Sequence, residues 1–540
     1  MRHFTGILLA TFVCTLVLAS CDSALDAQPQ GELNEETFYN NAKDFRAGIF
    51  GAYSTLLNLY YQQFGDPWIK ENMWPSDDFR PPVAGSFNLE QFNFQPTSGA
   101  FNTLWNQLYK GILRSNKVIQ QLPDAQGLSE SEKARFEGEA RFLRGYFHFM
   151  LARKYGDVPI VDGVIESVSE SDVGNSEPGA IWSFVEKDLR FAAENLPEEW
   201  GSENQGRVTR YSALGMLGKV LLFDAQWNDD DAKYDEAIDV FDQVVNSGQF
   251  RLMDDYRDNF RVATENNAES LFEVQMTRGD YNPWLPVDFL EEGSGFQGAA
   301  GSGRIIFTGA ACYQNNCAPG ANAYGYGQVA VTEPLQDAFE ENDPRRWFTY
   351  YTEGAPYPST EIGDSQPWDT SWSITGHTPA KYVRSDMNFS RFPLNITTDN
   401  ERILRYADVL LMLAEAELLA NNNTSRAADL VNQVRERARN NYQEAYGDSA
   451  SVPEDLLPPI SASELTHEDI RHERRVELAG ELHRYDDLAR WHRAGLINID
   501  EDIDFGGDRA NDTWSEQYLL FPIPQEEIDN NENLEQNPGY

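Results

Sequence analysis

The chain is poor in histidine, cysteine and basic charge, and it has a single long apolar run. Each shortage excludes something. Seven histidines are spread over 540 residues. Only His467-Glu468-Asp469-Ile470-Arg471-His472 superficially resembles a zinc-protease helix, and its two histidines stand five apart, so they do not share a helix face as i and i+4 would. The two cysteines of the central region, Cys312 and Cys317, have no further sulfur or histidine ligand near them, which argues against a metal site. Neither a Gly-x-Ser-x-Gly elbow nor a phosphate loop occurs, so no catalytic residue, metal or cofactor is assigned. Basic residues number 43 against 87 acidic ones, a net charge of 43 − 87 = −44. Such a balance excludes nucleic acid as a partner and adhesion to anionic lipid through a basic patch. It fits a solvated acidic surface of the kind a saline habitat selects. With so many carboxylates, some pair will always suggest a glycosidase, so two acids close in sequence carry no weight.

The apolar run lies at the start. Met1-Arg2-His3 is short and basic, Ile7 to Leu18 is apolar, and Leu18-Ala19-Ser20-Cys21 follows. About a dozen residues are too few to span a bilayer as a helix but suit a signal h-region. Leu-Ala-Ser-Cys resembles the bacterial lipobox, which implies cleavage before a lipid-bearing Cys21. The expected layout is a lipoprotein signal peptide at 1–20 and a small polar tether at 21–30. Cys14 leaves with the signal. In an oxidising compartment the remaining pair, Cys312 and Cys317, favours one local disulfide. No later segment approaches a transmembrane run, and 41% hydrophobic and 12% aromatic residues are enough to bury a large core.

Helical periodicity is clear in several places. Phe136, Ala140, Leu143, Phe147 and Met150 recur at steps of four and three between Ser131 and Tyr155, and Gly156 and Pro159 end the pattern. Tyr234, Ile238, Phe241 and Val245 repeat it, as do Ala407, Leu411, Ala414 and Leu418, then Ala427, Val431, Val434 and Ala438. Asn421-Asn422-Asn423 joins the last two into a hairpin. Each helix is amphipathic, so hairpins must stack to bury their stripes. Tyr234-x-x-Ala237-x-x-x-Phe241 looks like the second helix of a tetratricopeptide hairpin whose first helix is Ala213 to Phe223. No strict 34-residue period runs through the chain. Two aromatic stretches without helical period interrupt it, residues 61–100 and 276–400. Loops this long inside a compact protein are usually functional.

Five blocks in order resemble the SusD/RagB family, surface lipoproteins of Bacteroidetes-type bacteria. They are Glu139 to Tyr146 continuing through Tyr155-Gly156-Asp157-Val158-Pro159; Gly206-Arg207-Val208-Thr209; Arg405 to Met412 with Ala414-Glu415-Ala416; Glu473-Arg474-Arg475-Val476-Glu477-Leu478 continuing to Trp491; and the tail from Phe521-Pro522-Ile523-Pro524 to Asn537-Pro538-Gly539-Tyr540. The resemblance implies a mainly α fold, a SusD-like α-α superhelix of four tetratricopeptide-like helix pairs with long irregular aromatic loop insertions. It divides the chain into an N-terminal helical region at 31–275 with a ligand-loop insertion at 61–100, a ligand-loop region at 276–400, and a C-terminal helical region at 401–540. It also implies a non-enzymatic nutrient binder, lipid-anchored at the outer membrane, that partners a TonB-dependent transporter of the SusC-like kind. The usual ligand is an oligosaccharide or polysaccharide, though some members bind peptides or other nutrients. Asp22-Ser23-Ala24-Leu25-Asp26 departs from the acidic surface-export signal of the family. An exported glycoside hydrolase is the alternative class, and an intracellular tetratricopeptide scaffold a third that the signal sequence opposes.

The signature blocks read as structural. Arg141 and Arg144 lie near Glu137 and Glu139, and Arg474 and Arg475 near Glu473 and Glu477, as ion pairs that fix helix packing. Trp105 and Trp491, on helical patterns, belong to the core. For a glycan, a flat ring covers the C–H face of a sugar while carboxylates, amides and arginines bond its hydroxyl rim. The expected shelf therefore combines Trp68, Trp74, Asp77, Asp78 and Arg80 from the first insertion with Trp284, Tyr324, Tyr326, Trp368 and Trp372 from the second.

Overall fold

The computed structural model describes residues 38–61, 71–81, 89–276, 312–313, 316–317, 329–358, 365–382, 399–506 and 514–540. Eight long helices pack in sequence as four antiparallel hairpins: α1 (Ala42–Tyr61) with α2 (Gly99–Gln121), α3 (Glu130–Tyr155) with α4 (Ala180–Asn195), α5 (Arg210–Asn228) with α6 (Ala232–Val245), and α8 (Tyr406–Asn421) with α9 (Thr424–Asn440). Each hairpin also packs on the next, so the stack runs unbroken from α1 to α9 although about 160 residues separate α6 from α8. The mainly helical superhelix expected from the sequence is what forms. Two further helices, α11 (His467–Leu478) and α12 (Arg484–Arg493), cover α8 and α5. No helix among the described residues is long and apolar enough to cross a membrane.

Local chemistry sets these elements. Ser129 and Glu132 form a reciprocal capping box at the start of α3, Glu130 and Glu132 occupy its first turn and Arg153 and Lys154 its last, matching the helix dipole, and Gly156 ends it at φ +76°. The single apolar stripe read from its sequence is too narrow, however. From Phe142 to Tyr155 every residue is buried, because α2 and α4 both pack on the helix. Its polar residues find tertiary partners: Glu139 with Arg207, Arg144 with Asp188 at 2.7 Å, and Arg153 with Asp486 at 2.8 Å. Between α5 and α6 the approach is close, since a Cβ at Gly218 would lie 2.4 Å from the Phe241 ring. Asn422 at φ +49° ends α8, and Asn423 caps α9 through the Arg426 N–H, so the predicted asparagine turn is the hairpin turn.

After the long insertion the chain re-enters the stack through β8 (Glu401–Arg405), which pairs antiparallel with β2 (Ser270–Val274) in the register Ser270↔Arg405 and Val274↔Glu401. One hydrophobic core extends from Ala52 on α1 to Leu534 near the tail. The tail chemistry matches expectation: Asn537 Nδ2 donates to the carbonyls of Tyr155 and Phe521, and the Tyr540 hydroxyl donates to Leu520 O at 2.8 Å.

Under the insertion lies an ion network. Arg405 on β8 reaches Glu269 and Glu477 at 2.7 Å each and Glu481 at 2.7 Å, and Arg437 on α9 joins Glu269 and Glu477. The Glu473–Glu477 block therefore is structural, as expected, but not through i,i+4 pairs within its own helix. Arg474 goes to Asp408 at 2.8 Å and to Asp487, and Arg475 to Asp77 and Asp78. These pairs are tertiary because α11 is covered on several sides and its charges must be met by whatever packs there.

Candidate functional site

The first insertion turns inward. Trp74, Phe79, Phe92 and Phe94 are buried members of the main core. β1 (Phe79–Arg80) pairs with β5 (Ala330–Val331), and Thr332 donates its backbone N–H to Asp78 O at 3.0 Å, so this segment straps the second insertion to the body. Asp77 and Asp78 are buried beneath α11 and α12, Asp77 held by Arg484 at 2.7 Å and Arg475 at 2.9 Å, and Asp78 by Arg475 at 2.8 Å. Burial pushes both carboxyls up. At Asp77 the two guanidiniums outweigh it and hold the group at about 2, whereas at Asp78 burial and the adjacent Asp77 charge leave it raised. Trp74, Asp77 and Asp78 thus offer a sugar no free face or oxygen, and the shelf assignment is corrected for them: their partners are core side chains and arginines. Arg80 is half-buried on β1 and is not brought to the cleft described next.

The second insertion builds a small aromatic layer. Trp368 is fully buried, stacks on Tyr351 with ring centroids 5.9 Å apart, meets Trp372 edge-on at 5.4 Å, and donates its indole N–H to Gly376 O at 2.8 Å. These two tryptophans are likewise inside instead of forming the shelf, because the β6 (Pro356–Pro358) and β7 (Ser365–Pro367) hairpin and the turn after it need a core of their own. Trp68, Trp284, Tyr324 and Tyr326 lie outside the described residues, as does Cys21. Cys312 and Cys317 stand directly opposite each other in the antiparallel pair β3 (Cys312–Tyr313) and β4 (Asn316–Cys317).

Tyr351 faces a cleft of about 420 Å³ that the sequence reading did not place. Its walls are Trp347, Phe348, Tyr351 and Phe260, with Ala355, Pro356 and Ala380, and its polar groups are Arg257, Arg261 and Lys381. Trp347 sits half-buried on the short helix α7 (Pro344–Thr349), its ring next to Tyr446 of α10 (Tyr442–Tyr446). Asp343 caps α7 by accepting the Arg345 N–H at 2.9 Å, with Pro344 at the first helical position. Arg345 is completely buried and pairs with Asp343 at 2.7 Å and with Glu473, so the helix carrying Trp347 is pinned to the α11 block. Arg257, whose guanidinium lies 5.3 Å from the Phe348 ring centroid, hydrogen-bonds Asp255 at 3.0 Å and Glu444, and Arg261 bonds Asp255 at 3.1 Å and Asp258 at 2.8 Å. Burial raises the Asp255 carboxyl, but hydrogen bonds and charge from Arg257, with Arg261, leave it below its ordinary value. Lys381, also in the lining, donates through Nζ to Glu481 at 2.8 Å and to Glu477 O at 3.0 Å; burial brings its ammonium down to about 8.

Aromatic rings and guanidinium N–H donors lining one cleft can together cover a sugar's apolar face and bond its rim. The signal for Trp347 was present in the sequence as Asp343-Pro344, a helix start inside an aperiodic stretch. A smaller cleft of about 260 Å³ beside α1, lined by Phe50, Tyr53, Leu57 and Gln275 among others, has its polar wall committed: Gln275 exchanges hydrogen bonds with Asn266 at 2.9 Å each way, and Arg207 is held by Glu139. The two histidines of the 467–472 motif go to different partners, His467 to Glu415 at 3.2 Å and His472 to Glu340 at 3.7 Å, and no group of metal-ligand type occurs among the described residues.

Comparison with known proteins places this architecture. The SusD family model matches residues 87–540. A SusD-like protein of Bacteroides ovatus is 27% identical over 502 residues, covering 90% of this chain and 82% of the relative. SusD-like protein P25 of Formosa agariphila is 24% identical over 553 residues, 96% of this chain and 97% of its own length. Among solved structures, a laminarin-binding SusD-like protein superposes with a TM-score of 0.72 at 26% identity, covering 93% of this chain and all of the other. Surface glycan-binding protein A from Bacteroides fluxus gives 0.70 at 25% identity, over 92% of this chain and 99% of that one. With a family model spanning most of its length and a fold shared over 93% of the chain, this chain belongs to the SusD family.

Proposed function

We propose that this protein binds an oligosaccharide or polysaccharide at the Trp347 cleft and hands it to a TonB-dependent transporter at the outer membrane. The observation that carries the reading is the cleft itself, lined by three aromatic residues and an indole together with two arginines and a lysine. Relatives whose names record laminarin binding and surface glycan binding support the ligand class. Binding is favoured over hydrolysis because the relatives whose names record a ligand are named as binding proteins. Trp68, Trp284, Tyr324 and Tyr326 are proposed to extend the aromatic surface, with Trp74, Trp368 and Trp372 as its support. Anchoring is proposed through lipid on Cys21, and a Cys312–Cys317 disulfide fits the register, since directly opposed Cα atoms lie within disulfide reach.

A glycan array probed with the detergent-extracted chain should give hits without release of reducing ends; an array with no hits, or liberated sugar, would overturn the binding reading. The same extract should yield a large barrel protein on pull-down and should lose its membrane association in the Cys21→Ala variant. Repeated recovery of the chain alone speaks against a stable transporter complex, and retention of that variant in the membrane against the anchor.

A further inference from the structure

We infer that the Trp347 cleft selects a neutral glycan and refuses a polyanionic one. The inference rests on the cleft reading above and adds the charge class of its ligand. Among the described residues, every cation lining the cleft already has its charge met. Arg257 holds Asp255 and Glu444, Arg261 holds Asp255 and Asp258, and Lys381 holds Glu481. Among the described residues, three cations therefore face four carboxylates, one of which, Glu481, is shared with Arg405, and none of the three is left without a carboxylate.

Donors remain nevertheless. Nη1 of Arg257 and both Nε and Nη2 of Arg261 have no partner among the described residues. A guanidinium with its charge matched still donates these N–H groups, and a hydroxyl oxygen accepts them without bringing charge of its own. A uronate or sulfate would have to displace Asp255, Asp258 or Glu444, or sit beside them, and like charges in a partly desolvated site repel strongly. The long-range field acts the same way, because the chain carries −44 overall. That field is screened in strong salt, where only the short-range pairing inside the cleft still discriminates.

The test is isothermal titration of the detergent-extracted chain against neutral polysaccharides (laminarin, mannan, galactan) and polyanions (polygalacturonate, alginate, dextran sulfate). Titrations are run at low salt and at about 0.5 M NaCl, where the screening length is about 4 Å. At least one neutral polysaccharide should bind, with affinity changing less than about twofold between the two salts, and each polyanion should bind at least about tenfold more weakly at both. Polyanion binding as tight as the neutral ligand's at high salt overturns the inference while leaving glycan binding intact. Failure of every polysaccharide overturns glycan binding itself. The double variant Asp258→Asn with Glu444→Gln exposes positive charge on both arginines, so the ratio of polygalacturonate to neutral affinity should rise at least about threefold. An unchanged ratio would show that paired cleft arginines do not set the preference.

Discussion

Arg345 joins the most recognisable motif of the chain to its candidate site. It is buried, sits two residues before Trp347, and pairs with Asp343 and with Glu473 of the α11 block. Replacing it by methionine would take its ion-pair partner from the buried Asp343, while Glu473 keeps Arg435, and removing one partner of a buried pair costs about 3–5 kcal/mol. Arg345→Met should therefore lower stability by that order in denaturant melts and weaken glycan binding by freeing α7; a variant with unchanged midpoint would show that the network does not hold the helix. Lysine should restore little, because it cannot reproduce the forked contacts. Residue-level function was the least legible part of the sequence. Aromatic rings in an aperiodic stretch carry no mark of which side faces in. Trp368 and Trp372 read like a shelf yet form the layer behind Tyr351, while Trp347, one turn into a short capped helix, faces the cleft.

Helices were legible because their signals are local. The capping box at Ser129, the asparagine turn after α8 and the aromatic-alanine pattern of α6 all stand where periodicity put them. Strand β8 was not foreseen: its five residues Glu401 to Arg405 are all buried, three of them charged, and only long-range pairing with β2 and the ion network make that possible. Arg141 does pair with Glu137, as the sequence suggested, at 2.6 Å, but the partners of Arg474 and Arg475 were missed for the same reason, since sequence neighbours were nearer to hand than Asp408, Asp487 or Asp77. Close helix approach is the testable element-level feature. Gly218→Ala places a methyl 2.4 Å from Phe241, so α5 and α6 must separate or the ring must leave its position. Overpacking of this kind costs about 1–3 kcal/mol, and a thermal melt should show it; an unchanged melting temperature would mean the hairpin yields freely.

At the scale of the whole molecule the buried charges set the pH response. His148 and His483 are lowered by burial to about 3, so between pH 6.5 and 3 the unfolded state binds their protons more tightly and stability falls with pH. Asp224 and Glu265, raised by burial to about 7, act in the opposite sense as pH drops from 7 towards the ordinary carboxylate range, and they offset the histidines there. Below about pH 4.5 that opposition ends. Asp77 and Glu481, both raised by burial but brought to about 2 by their cationic partners, then lose their advantage together with Asp408, Glu415 and Glu477, which are also held low. Melting temperature should be nearly flat from pH 7 to about 4.5 and fall steeply below it; a maximum near pH 3 would contradict the assigned ion network. The central claim, that a glycan is held on the Trp347 cleft, is tested most directly by titrating the array's best oligosaccharide into the parent chain and into Trp347→Ala. Affinity should fall at least about tenfold, equivalent to roughly 1.4 kcal/mol, with the melting temperature little changed. Equal affinity in a folded variant would place the glycan elsewhere.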